Sequence, residues 1–136
     1  MIYQFERDPI SEIILIEVLL NGKHEFKMAL DTGASTTTFD INALLMANFP
    51  IGDIIESGLV ETANGIVEVD IIQTEDISAF GHTANGITVQ VYDFLKHGII
   101  SDYDGVLGLD FIENTKFIVD MINQTIEVIE VKKITP

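Results

Sequence analysis

Three asparagine-glycine pairs, each set between stretches rich in apolar and β-branched residues, favour a fold built largely from β-hairpins. The pairs are Asn21-Gly22, Asn64-Gly65 and Asn85-Gly86. Asn and Gly tolerate the positive φ angles that a type I′ turn requires, so each pair predicts a tight hairpin. Asn123-Gln124 lies between two similar stretches and predicts a fourth turn. We therefore expect a mainly β protein.

The alternation of apolar and polar residues gives these strands approximate bounds. It predicts strands at 12–20, 23–30, 58–62, 66–73, 77–81, 86–93, 116–121 and 125–131. In the last of them, extended to residue 133, apolar residues alternate with Glu127 and Glu130, which is typical of an edge strand.

Helical signals are few. A helix is expected at 41–48, because Asp40 can cap its first turn and Pro50 follows its end. A shorter helical turn is expected at 109–114. Residues 94–104 carry conflicting signals and are expected to form a loop.

The length and charge of the chain limit its class. A chain of 136 residues can form one hydrophobic core but hardly two, so a single domain spanning 1–136 is expected. The formal net charge is −15, which repels nucleic acid and anionic membranes, so we expect neither as a partner. Glu6, Asp8 and Glu12 interrupt the N-terminal stretch where a secretory signal would be continuously apolar. A cytoplasmic location is therefore expected.

The residues that usually bind metals are absent or scattered. There is no cysteine, which excludes disulfides, thiol catalysis and thiolate metal sites. The histidines at 24, 82 and 97 do not have the spacing of metal ligands. No metal and no cofactor are expected.

Asp31 is the residue that most needs an explanation. The apolar run Met28-Ala29-Leu30 leads directly into Asp31-Thr32-Gly33, so a carboxylate lies where a buried strand is expected to end. An Asx turn, in which Asp31 only accepts hydrogen bonds from nearby backbone N–H groups, would account for the tripeptide by itself. The tripeptide alone therefore does not establish a function.

The wider context is more specific. The segment Ala29 to Phe39, the Asn64-Gly65 hairpin and then Gly105-Val106-Leu107-Gly108 resemble, in order and spacing, the retropepsin-like aspartic proteases. The resemblance extends from about residue 13 to about residue 129. It implies a closed β-barrel with one or two short helices. It also implies a catalytic Asp-Thr-Gly loop, a hairpin flap over the substrate, and an apolar-apolar-Gly segment packed beneath the loop.

Applied to this chain, the resemblance implies a role for each residue of these motifs. Asp31 would be catalytic, Thr32 would hydrogen-bond across a dimer axis, and Gly33 would let the backbone approach the carboxylates. The remaining positions are Ala34 in the loop, Thr62, Ala63, Asn64 and Gly65 at the tip of a flap spanning 59–69, and Val106, Leu107 and Gly108 as loop support.

The chain contains a single Asp-Thr-Gly sequence. Hydrolysis by this chemistry needs two carboxylates around one water, so the second must come from a second copy of Asp31 in a homodimer. The expected substrate is a peptide or protein. Ala34 stands where the two-lobed pepsin-like enzymes more often carry a serine, which helps keep the pKa of the catalytic carboxylate low. Because that serine is missing and the net charge is strongly negative, we expect activity at mildly acidic to near-neutral pH.

One departure separates the chain from retroviral enzymes, which usually carry an arginine where this chain has Leu109. The chain looks more like the cellular and bacterial branch of the family. A catalytically silent dimeric module that binds peptides and keeps the fold is the alternative interpretation.

Overall fold

The computed structural model describes residues 1–51, 54–62 and 65–132, with the side chains of 54–56 and 62 left out. Strands dominate this part of the chain, which confirms the mainly β prediction. They are β1 Ile2–Gln4, β2 Glu6–Arg7, β3 Ile14–Leu20, β4 His24–Leu30, β5 Thr38–Asp40, β6 Ile54–Thr62, β7 Gly65–Gln73, β8 Asp76–Ala79, β9 His82–Asn85, β10 Thr88–Tyr92, β11 Gly105–Leu107, β12 Thr115–Asp120 and β13 Thr125–Val131. The helices are α1 Ile41–Met46, α2 Leu109–Ile112 and a single 3-10 turn at Leu95–His97.

The strands form two sheets. The larger has the order β6-β7-β10-β5-β11-β4-β3-β8-β9, with β2 paired to β3. No pairing between its outer strands β6 and β9 is found in the described residues, so barrel closure stays a prediction. The smaller sheet has the order β1-β13-β12. The edge-strand interpretation of 125–133 is wrong, because β1 pairs with β13 and places it in the middle, with Ile2 opposite Glu127.

Three of the four predicted hairpins are confirmed. Asn21 and Gly22 join β3 to β4 with φ angles of 53° and 65°. β12 and β13 pair across a turn that ends at Gln124, which has a φ of 53°. β6 and β7 pair as far as Thr62 and Gly65, and the two residues between them lie outside the described part of the chain.

The hairpin predicted at Asn85-Gly86 is wrong. The turn lies earlier, at Phe80 and Gly81, whose φ angles are 38° and 77°, and it joins β8 to β9. After β9 the chain crosses to β10, which pairs with β7 and β5. An Asn-Gly pair permits a turn, but the pairing of the flanking strands decides whether it forms a hairpin.

The elements missed by the sequence prediction are mostly short. They are β1, β2, β5, β9 and β11, each of two to four residues, and the 3-10 turn inside the predicted loop. Two to four residues show too little alternation for a periodic signal.

The helix α1 was expected, and its Asp40 cap accepts a hydrogen bond from the Asn42 N–H. It ends at Met46, two residues early, and Asn48 just beyond has a left-handed φ of 57°.

The hydrophobic core joins the elements that carry the motifs. Met28 of β4, Phe39 of β5, Leu107 of β11 and Phe111 of α2 are all fully buried in one cluster. Phe39 packs edge-to-face on Phe26 with ring centroids 5.4 Å apart. Phe26 lies on β4 and Phe39 on β5, so this packing joins the two strands that flank β11. None of the helices in the described residues has the length and apolar composition to cross a membrane.

Candidate active site

Asp31 follows the last residue of β4, where that strand lies parallel to β11. Ala29 pairs with Val106 and Leu30 with Leu107. The Asp31 N–H donates to the Leu107 carbonyl oxygen at 3.1 Å. The structure therefore brings together Asp31 and the segment Val106-Leu107-Gly108, which the sequence separates by more than seventy residues.

The loop after Asp31 is a tight turn. Asp31 Oδ1 accepts a hydrogen bond from the Gly33 N–H at 2.8 Å, and the Asp31 carbonyl accepts one from the Ala34 N–H at 3.2 Å. This is the Asx turn that accounts for the tripeptide by itself. Asp31, Thr32 and Gly33 are nevertheless exposed, and Ala34 is half-buried. The Asp31 carboxylate is thus held in a fixed position and is exposed, so that another molecule can reach it.

Glycine at 108 allows the supporting segment to approach the loop closely. A Cβ atom added to Gly108 would lie 2.8 Å from the Ala34 carbonyl oxygen and 2.9 Å from the Thr36 carbonyl carbon. Real Cβ atoms essentially never come that close to backbone. A Cβ on Gly33 would be 3.1 Å from Asp31 Oδ1, which is a tight contact with the carboxylate. Space therefore requires glycine at 108, whereas a Cβ at 33 would only make the Asp31 carboxylate shift by a few tenths of an ångström.

Asp110 and Thr37 form a second connection that the sequence prediction missed. The Thr37 hydroxyl donates to Asp110 Oδ1 at 2.6 Å, and the Thr37 N–H donates to both carboxylate oxygens at 3.0 and 2.9 Å. The same hydroxyl accepts from the Gly108 N–H at 3.0 Å. An acidic residue in the first turn of a predicted helix, close after the apolar-apolar-Gly segment, was the available signal.

Helix α2 contacts the Asp31 loop directly through its backbone. The Leu109 N–H donates to the Ala34 carbonyl at 2.8 Å, and the Asp110 N–H donates to the Ser35 carbonyl at 3.2 Å. On the far side of the helix, Nε2 of the buried His82 hydrogen-bonds the Phe111 carbonyl at 3.1 Å. Residues 31–37 and 105–111 are thus one hydrogen-bonded unit.

The predicted flap is the β6–β7 hairpin of the larger sheet. Three strands, β10, β5 and β11, separate it from β4, so its residues are not neighbours of Asp31 in the sheet. Val67 and Val69 are buried on one face, whereas Leu59 and Ile66 on the other are 74% and 71% exposed. Thr62 and Gly65 are the last paired residues, and Ala63 and Asn64 lie outside the described residues.

No metal site is present among the described residues: they contain no group of three or more histidine or acidic side chains that could hold an ion. The chemical group that the loop offers is the Asp31 carboxylate, whose Oδ1 accepts a hydrogen bond from the Gly33 N–H.

The fold and this loop define the aspartic protease class, and comparisons with known proteins agree. A family model described as aspartyl protease matches residues 16–111, which is more than half of the chain. The chain is similar to the crystal structure of a retropepsin-like aspartic protease from Rickettsia conorii, with a TM-score of 0.65 and 18% identity over 94% of this chain and 89% of that one. No curated protein matches the sequence. The chain belongs to the aspartyl protease family, and its fold is similar to that of a retropepsin-like aspartic protease.

Proposed function

We propose that this chain is an aspartic endopeptidase that works as a homodimer, with one Asp31 contributed by each subunit. The observation that carries the proposal is an exposed Asp31-Thr32-Gly33 loop braced by β11 and α2, in a chain of this family. The chain has one such loop, so a complete site needs two copies.

The reaction uses water and no cofactor. The ionised carboxylate of the pair takes a proton from a water molecule, whose oxygen adds to the peptide carbonyl carbon while the protonated carboxyl donates to the carbonyl oxygen. The tetrahedral intermediate then collapses: the carboxyl that took the water proton gives it to the nitrogen, the C–N bond breaks, and the other carboxylate takes a hydroxyl proton as the new carboxyl group forms. The hydrogen bond from the Gly33 N–H leaves Asp31 Oδ2 to face the water.

The neighbouring residues take supporting roles in this proposal. Thr32 bonds across the dimer axis, Gly33 and Ala34 keep the loop close to the carboxylates, and Val106 to Gly108 hold it from beneath. The hairpin tip from Thr62 to Gly65 closes over the substrate, which lies extended and pairs as an added strand. The chain acts as one domain, and its cytoplasmic location stays a prediction.

The smaller sheet offers a surface that fits a dimer. Its outward side chains include large apolar residues that are about half or more exposed in the single chain, namely Ile2, Ile118, Met121, Ile122, Ile129 and Val131. Apolar groups of this size stabilise an assembly when a partner covers them. Their exposure supports a second copy at this sheet.

The test is cleavage of a mixed peptide library by the wild type and by Asp31→Asn, with the mass of each measured in solution. Asn keeps the size of the side chain and an acceptor for the Gly33 N–H but cannot act as the base. We expect both proteins to be dimers and the substitution to lower kcat by about 10³-fold. Glu75→Gln, at an exposed acid outside the loop, is the control and should cleave the library as the wild type does.

Cleavage that survives in Asp31→Asn would contradict the catalytic role. A wild-type dimer that binds peptides and cleaves none would favour the alternative, a silent peptide-binding module with the same fold.

A further inference from the structure

Four large apolar side chains outside the catalytic loop are mostly exposed to solvent, although they lie on or beside ordered elements. Ile100 is 92% exposed, Ile10 is 89%, Met46 is 87% and Leu95 is 65%. They line two neighbouring hollows that share residues 100–103. We call these four residues together with Asp102 the apolar-acidic surface.

The two hollows lie on either side of the 100–103 loop. The first, about 290 Å³, lies between this loop and the turn that carries Asp8 and Ile10. The second, about 270 Å³, lies between the loop, Met46 at the end of α1, and Leu95. Each is large enough for a side chain, and the loop is the wall between them.

The loop that presents Ile100 is firmly held at both ends. Before it, the Ile99 N–H donates to the Phe94 carbonyl at 2.9 Å. After it, the Asp104 N–H donates to the Lys27 carbonyl at 2.7 Å, and Asp104 Oδ2 accepts from the Lys27 N–H at 2.9 Å. The exposure of Ile100 is therefore a feature of ordered structure. Such groups of exposed apolar side chains mark binding surfaces.

The charge of the hollows is negative. Asp8 and Asp102 line the first, Asp102 lines the second as well, and no Lys, Arg or His lines either hollow in the described part of the chain. Hydrogen bonds from the Ser11 and Ile10 N–H groups to the Asp8 carboxylate hold its pKa below the usual value, so it stays ionised. A ligand that complements this surface is apolar and cationic.

The surface begins close to the catalytic loop. Ile13, at the rim of the first hollow, comes one residue before β3, and Leu15 of β3 pairs with Ala29 of β4. Continuing this antiparallel register by two residues brings Ile13 level with Asp31. One polypeptide can therefore reach both the loop and the surface.

We propose that the apolar-acidic surface binds a stretch of the protein substrate in which apolar residues alternate with Lys or Arg, at a distance along the substrate from the cleaved bond. This inference rests on the proposed function, because it treats the occupant as substrate. A second copy of the chain fits this surface poorly, because no cation lines either hollow in the described residues to pair with the acids of that copy.

The binding test uses full-length Asp31→Asn, which does not depend on turnover, and fluorescein-labelled peptides of alternating Leu-Lys, Leu-Gln and Leu-Glu measured by anisotropy. We expect Leu-Lys to bind about tenfold more tightly than Leu-Gln and Leu-Glu not to bind. Adding Ile100→Ser should weaken Leu-Lys binding about tenfold, and adding Asp102→Asn about threefold with a smaller dependence on salt.

Two control variants distinguish binding of the peptide at this surface from nonspecific binding elsewhere on the protein. Leu45→Ser removes a leucine of α1 that is 57% exposed and lines neither hollow, and Glu75→Gln removes an exposed acid elsewhere. Neither should change Leu-Lys affinity. Equal affinities for the Ile100→Ser and Leu45→Ser proteins, or equal binding of Leu-Lys and Leu-Gln, would overturn the inference.

A cleavage assay distinguishes this inference from the proposed function. In the chain with Asp31 intact, Ile100→Ser should cleave a short peptide like the wild type, and should raise KM about tenfold for the same peptide extended by a Leu-Lys tail. If the wild type cleaves neither peptide, the proposed function fails, and the anisotropy comparison still decides the inference. An equal KM for the extended peptide in both proteins would overturn the inference alone.

Discussion

Glycine serves two different purposes in the unit of residues 31–37 and 105–111 and in the hairpins. An added Cβ on Gly105 would clash with the Thr38 carbonyl oxygen, and one on Gly108 would lie 2.8 Å from the Ala34 carbonyl oxygen. In the hairpins, a Cβ on Gly22 or Gly58 would meet nothing within 4 Å, and Gly22 is constrained only by its φ of +65°. The unit of residues 31–37 and 105–111 is therefore fixed by close backbone contact, and the hairpins by local conformation.

The largest effect on the free energy of unfolding should come from a methyl group placed in the unit of residues 31–37 and 105–111. We expect Gly105→Ala to lower the free energy of unfolding by about 3 kcal/mol, because the new Cβ displaces β5 from β11. Gly58→Ala adds the same methyl group to β6 and should change that free energy by less than about 0.5 kcal/mol. Chemical denaturation of both proteins measures the difference, and similar losses would show that close contact is not what distinguishes the two regions.

A smaller effect is expected from the carboxylate that ties α2 to the loop. Asp110→Ala leaves the Thr37 N–H and hydroxyl without their acceptor and should cost about 2 kcal/mol. Asp110→Asn keeps one acceptor oxygen and should cost about half as much. Denaturation gives both values, and kcat should fall with Asp110→Ala because residues 31–37 lose their brace. An alanine variant with wild-type stability and kcat would contradict this positioning role.

The smallest effect concerns a hairpin that is held by a side chain. Hydrogen bonds from the Asn123 N–H, the Asn123 amide and the Ile122 N–H to the Asp120 carboxylate lower the pKa of Asp120. The ionised form is therefore favoured in the folded state. Its contribution is present above the unfolded pKa and is lost as the pH falls through the lowered folded pKa. Unfolding measured across that acidic range should depend less on pH in Asp120→Asn, and an unchanged pH dependence would contradict the assignment.

The contrast between local conformation and contact between distant segments also explains which features could be predicted from the sequence. Asn21-Gly22 predicted its hairpin because both residues accept positive φ locally. Asp31 and Val106 to Gly108 were recognised from motif order, and the structure places them in contact. The Asp110 to Thr37 connection was missed because a hydrogen bond across 73 residues has no local pattern. Asn85-Gly86 was misassigned because strand pairing, which is also long-range, placed the turn at Phe80-Gly81.

The central claim is that one active site is made from two chains, and a mixing experiment tests it most directly. Wild type and Asp31→Asn are mixed in equal amounts, allowed to exchange subunits, and compared with the same total concentration of wild type. A site that needs both Asp31 residues leaves about a quarter of the activity, because about a quarter of the dimers contain two wild-type chains. A residual activity of about half would mean that each chain works independently and would contradict the account.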